Sequence, residues 1–197
     1  MKISPKVQAL PLLFLAVLPS EAQGFAELER INQIRLDYNQ QGMLILGAWA
    51  LLNLLLGSIG SFRTRGQSQA FHQMNACWNV VNLGIAVFGF WQATQVAAMN
   101  FLEGLVAQQQ IEKVLLVNVA LDFGYLLLGL YLIERGRRLE KDRWIGFGKS
   151  ILLQGAFLLL FDAILYGFQQ QLGIDLVDLG KGMAALPVKL MDLDPWP

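Results

Sequence analysis

Four apolar blocks, at about residues 42–62, 75–95, 114–133 and 144–168, constrain the fold more than any other feature of the chain. Each has the length at which a helix rising about 1.5 Å per residue crosses a hydrocarbon core of about 30 Å. A 197-residue chain with 55% hydrophobic and 15% charged residues is apolar for a soluble domain, and the excess sits in these blocks. The expected fold class is therefore all-α: a four-helix transmembrane bundle spanning residues 42–168, preceded by a signal peptide and a short amphipathic helix.

The segments around the blocks carry their own signals. Residues 1–22 place Lys2 and Lys6 before the apolar run Ala9 to Leu18, and Ser20 and Ala22 before Gln23. That order predicts a secretory signal peptide cleaved after Ala22. Residues 23–41 space Phe25, Leu28, Ile31 and Ile34 at near-helical intervals among charged residues, which predicts an amphipathic helix lying at the interface, with Gly42 as a break. Residues 169–197 show no long periodic run and end in a "DPWP" that cannot continue a helix, and so read as an outer tail.

Charge sets the expected orientation. Arg63 and Arg65 lie between blocks 1 and 2, and Arg135, Arg137, Arg138, Lys141 and Arg143 between blocks 3 and 4. Basic residues concentrated in two short connections place both in the cytoplasm and both mature termini outside. The signal peptide demands the same topology. Acidic and basic residues balance at 15 each and no basic stripe appears, which excludes a nucleic-acid partner. The expected partners are the lipid bilayer and a second copy of the chain or another membrane subunit.

Polar residues inside the blocks are the candidates for function. Asp122, Asp162, Asn53, Asn82 and Asn118 form the primary set, with His72, Asn75, Asn79, Lys149 and Gln154 as a secondary set. An Asp at mid-membrane costs about 2.5–3.5 kcal/mol to insert, which the eleven Leu, Ile and Phe residues of 151–168 offset at about 0.3–0.6 kcal/mol each. Asn75, Asn79 and Asn82 fall on one helical stripe, as do Asn118 and Asp122, and such stripes face a bundle interior. Counting at about 1.5 Å per residue groups Asn118, Asp162, Asp122 and Asn53 in the outer half and Asn79, Asn82 and Lys149 in the inner half. Trp49 lies too deep in block 1 for an interfacial aromatic belt.

Enzymatic signatures are missing: the sequence holds no G-x-S-x-G, H-E-x-x-H, phosphate-binding or dinucleotide-binding motif, and no cofactor is expected. One cysteine and one histidine cannot build a zinc site, so no metal is expected. Two functional readings remain. In the first, the polar seam binds or conducts a small ligand, an ion or a proton. In the second, the chain is a structural or assembly subunit whose seam only fixes helix packing.

The stretches "GAWALLNLLLGSIG", "FHQMNACWNVVNLG", "LDFGYLLLGLYLIERG" and "GKSILLQGAFLLLFD" resemble an uncharacterised, domain-of-unknown-function family of small bacterial multi-pass membrane proteins. The resemblance covers about residues 42–168. It implies a multi-pass chain of the bacterial cytoplasmic membrane, and it brings no reaction, ligand or site residue.

Overall fold

A computed structural model describes the backbone of residues 5–95 and 99–191 and the side chains of residues 23–95 and 99–184. It holds four helices: α1 (Pro5–Arg63), α2 (Gly66–Thr94), α3 (Phe101–Arg138) and α4 (Asp142–Met191). Three of them, α1, α3 and α4, are long and apolar enough to cross a membrane. In α2 the buried Asn75, Asn79 and Asn82, with Gln67, Gln69, His72 and Gln73 in its first turns, lower the hydropathy of a helix that holds no Asp, Glu, Lys or Arg. The outward surface of the blocks is largely apolar: Leu55, Phe62, Val87, Leu127 and Leu160 are all more than half exposed.

Small and polar side chains point inward instead. In α3 the buried positions are Gly104, Gln108, Leu115, Asp122, Gly129 and Gly136, the last five spaced seven apart. A seven-residue repeat keeps one seam facing its neighbours, and glycines in that seam let backbones touch. A Cβ on Gly129 would lie 2.9 Å from the Gly148 carbonyl oxygen, and one on Gly148 only 2.6 Å from that of Gly129. The α3–α4 contact therefore has no room for a methyl group at either position.

The connections are short and local chemistry closes them. At the end of α3, Glu140 is left-handed (φ 54°), Lys141 N–H donates to Gly136 O at 2.8 Å and Glu140 N–H to Arg137 O at 3.3 Å. Those two bonds are the Schellman pattern that satisfies a helix's last carbonyls. At the start of α3, Glu103 N–H donates to Asn100 Oδ1 and Asn100 N–H to Glu103 Oε2, a capping box. The α1–α2 and α3–α4 connections lie together, with Gly66 against Asp142 and Lys149 donating to Gln67. The seven basic residues counted above thus gather at one end of the bundle.

Two expectations about the other end are corrected. Gly42 does not break α1: it is buried, with Leu165 of α4 packed against it, and close packing there outweighs the roughly 1 kcal/mol helical cost of a glycine. Segment 23–41 accordingly continues the helix of block 1 rather than forming a separate one. Nor does α4 stop near 168. Leu172 and Leu176 pack on Leu28 and Ile31, with Phe101 and Leu105 of α3 alongside, so residues 169–191 are helical. Leu172, Leu176 and Leu179 have the i, i+4, i+7 spacing that buries one face of a helix. Of the expected tail, residues 192–197 lie outside the described residues, as do residues 1–4 and the side chains of 5–22 in the expected signal peptide.

Helix α1 packs along α2, α3 along α4, and α2 and α4 close the bundle between them. The backbones of α2 and α3 never reach packing distance. That gap positions the candidate site.

Candidate functional site

The polar residues expected to form one seam fall into three sets. The first is a hydrogen-bonded ladder toward the basic end. Trp49 Nε1 donates to Gln154 Oε1 (2.9 Å), Gln154 Nε2 to Asn75 Oδ1 (2.5 Å), and Asn75 Nδ2 to Asn53 Oδ1 (2.9 Å). Asn53 Nδ2 returns to Trp49 O, Asn79 Nδ2 donates to Asn75 O, and Asn82 Nδ2 reaches Asn79 Oδ1 at 3.4 Å. The ladder ties α1, α2 and α4. It also accounts for the depth of Trp49, whose ring stacks on Phe157 at 3.9 Å.

The second set, at the distal end, was not singled out from the sequence. Gln108 Nε2 donates to Gln169 O (2.5 Å) and to Glu112 Oε1 (3.0 Å), and Gln169 Nε2 donates to Asn39 Oδ1 (2.9 Å). Arg35, 1% exposed, donates to Gly104 O and to Met99 Sδ. The signal was present: Arg35 lies seven residues after Leu28 and four after Ile31, on the very stripe that the apolar spacing turns inward.

Between these layers lies the third set. Asp122 of α3 and Asp162 of α4 are both buried and lie near each other, with Asn118 beside Asp162. Asp122 Oδ2 has no hydrogen-bond partner.

A cavity of about 910 Å³ runs along the gap between α2 and α3. Its walls are apolar, with Leu46, Val81, Ile85, Val114, Leu121 and Leu158 among them, and Asn82, Asn118, Asp122 and Asp162 supply polar groups to it. Arg35 and Asn39 line it toward the distal end. Toward the basic end, Trp78 stands edge-on to Tyr125 at 4.8 Å and bridges the gap. Asn32 Oδ1, His72 Nδ1, Gln108 Oε1 and Ser150 Oγ are also buried without partners, but of these five residues Asp122 alone lines the cavity.

The sequence grouping is corrected in three places. Asn53 joins Asn75 in the ladder rather than the aspartates, because depth along one axis says nothing about which way around its helix a side chain points. His72 does not open onto the cavity; it packs against Gly60 of α1, where any Cβ would overlap its ring. Lys149 is exposed and bonds to Gln67, away from Asn79 and Asn82. Among the described residues no group of three or more His, Cys, Asp or Glu side chains is placed to hold a metal ion.

An apolar cavity with a few convergent polar groups, open between two helices, can receive an amphipathic molecule from the side. No curated protein and no solved structure matches the chain. The profile of one family covers residues 45–163, a range that takes in Asp122, Asp162 and the whole ladder but not Arg35, and the chain belongs to that family of unknown function (DUF6992).

Proposed function

We propose that this is a four-span protein of the bacterial cytoplasmic membrane that binds an amphipathic ligand in the cavity between α2 and α3, and presents the Asp122–Asp162 pair to a cationic or hydrogen-bond-donating group of it. The observation that carries this reading is the unpartnered Asp122 Oδ2 in a residue that lines the cavity. A buried acceptor without a donor costs about 1–3 kcal/mol, and a ligand donor supplies what the protein withholds. Ionisable residues at membrane depth generally mark ligand or ion sites.

Helix α2 serves as the fourth span because its three asparagines are 0–4% exposed and lipid meets its apolar faces instead. The basic end lies in the cytoplasm and the distal end outside, following the positive-inside rule, with residues 1–22 acting as the secretory signal.

The assembly-subunit reading fits the ladder, whose amides satisfy one another, but leaves the cavity and Asp122 without a role. The test is to purify wild type and Asp122→Asn in mild detergent and quantify the amphipathic molecules that co-purify, by extraction and mass spectrometry. The expected result is normal accumulation of Asp122→Asn with loss of the bound molecule. Equal retention by the two proteins refutes the reading.

A further inference from the structure

The cavity has a second pole. Arg35 is buried, lines the distal end, and among the described residues makes no ion pair. Two hydrogen bonds, one to a carbonyl and one to a thioether sulfur, engage a guanidinium with several more N–H donors. A buried cation without a counter-charge is unfavourable unless an anion arrives to meet it. No acidic residue lines the cavity near it: counting along α3 from Gly104, which Arg35 touches, Asp122 lies about 27 Å away. The neutral Asn39 and Gln92 share that part of the lining.

Height matters as well. Arg35 precedes the apolar block that begins at residue 42 by seven positions, about 10 Å of helix, which sets it at the outer headgroup layer when the block fills the hydrocarbon core. We propose that the distal end of the cavity is a headgroup site for an anionic lipid of the outer leaflet, with Arg35 meeting the phosphate and the gap between α2 and α3 taking the acyl chain. This deepens the cavity reading above and rests on it. The shared chemistry is a phosphate on a guanidinium; a lipid rather than free phosphate is favoured because the walls below Arg35 are apolar and the gap opens sideways.

The test is native mass spectrometry of the delipidated full chain titrated with dioleoyl phosphatidylglycerol, dioleoyl phosphatidylcholine or inorganic phosphate. Wild type is expected to retain the anionic lipid about tenfold or more over the zwitterionic one, the scale of a charge-assisted hydrogen bond. Arg35→Gln, which keeps a donor for Gly104 O, brings the ratio to about one. Arg35→Lys keeps most of the preference, and Lys113→Gln, which removes an exposed cation outside the cavity, keeps all of it. Equal retention of the two lipids by wild type, an unchanged ratio in Arg35→Gln, or displacement of the lipid by about 10 mM phosphate overturns the headgroup site. Failure to retain either lipid overturns the lipid site as a whole, a result distinct from retention without headgroup preference and from the Asp122→Asn test of the cavity reading above.

Discussion

The division of the polar residues into ladder and cavity predicts opposite responses to the same kind of substitution. Gln154 is 0% exposed and joins Trp49 Nε1 to Asn75 Oδ1. Leucine at 154 preserves bulk and removes both bonds, leaving an indole N–H on α1 and an amide oxygen on α2 buried without partners. Interhelical hydrogen bonds in bilayers average about 0.6 kcal/mol and reach about 1.7, so two of them set a loss of roughly 1–3 kcal/mol.

Asp122 has no such debt to its neighbours. Its Oδ2 bonds nothing, and its carboxyl lies near that of Asp162. Leucine at 122 removes an acid that costs about 2.5–3.5 kcal/mol to insert and adds apolar surface beside an apolar cavity. The expected outcome is unchanged stability or a gain of up to about 1 kcal/mol. Both variants are to be unfolded with SDS in mixed micelles and followed by far-ultraviolet circular dichroism. The partition is refuted by a Gln154→Leu protein as stable as wild type, or by an Asp122→Leu protein that loses more than about 1 kcal/mol.

The same unfolding measurement checks two further substitutions. Gly148→Ala puts a methyl 2.6 Å from the Gly129 carbonyl oxygen and is expected to cost about 1–3 kcal/mol, whereas Gly84→Ala, which has no neighbour within 4 Å, is expected to be neutral or stabilising by up to about 1 kcal/mol. Leu176→Ala, at a fully buried site in the distal core, is expected to cost about 2–5 kcal/mol; a cost below about 1 kcal/mol would show that α4 does not pack on α1 there.

Much of this was legible in one dimension. The stripe Asn75, Asn79, Asn82 and the acid at 122 are buried as helical spacing requires, and the connections fall where the basic residues cluster. Bilayer length misled at the ends. Blocks end where apolar residues thin out, but helices end where backbone groups find other partners, and α1 and α4 continue because Leu28 and Ile31 bury against Leu172 and Leu176. Partners across helices were not legible either. Asn53 and Asp122 each read as an inward polar residue, and only the packing separates an amide held by Asn75 from an unpartnered carboxyl oxygen in a residue that lines a cavity. Arg35 was hidden by its type: a basic residue on a helix predicted to be amphipathic reads as solvated, although its position belongs to the buried stripe.

Packing glue and the proposed ligand site are therefore compatible consequences of one arrangement rather than rival accounts of one seam. The ladder fastens α2 to α1 and α4, and glycines bring the same helices close: a Cβ on Gly57 would lie 2.8 Å from the His72 carbonyl oxygen, and one on Gly146 2.7 Å from Ala70 Cβ. Helix α2 is thus fixed on two sides, and its remaining inward face, with Val81 and Ile85, stands opposite Val114 and Leu121 of α3 without touching that helix's backbone. An apolar gap in water would collapse, because closing it removes apolar surface from solvent. In a bilayer that drive is absent, since lipid tails are as apolar as the walls. On the proposed reading, the gap persists because the ladder holds one wall, and it stays open to an amphipathic molecule from the membrane.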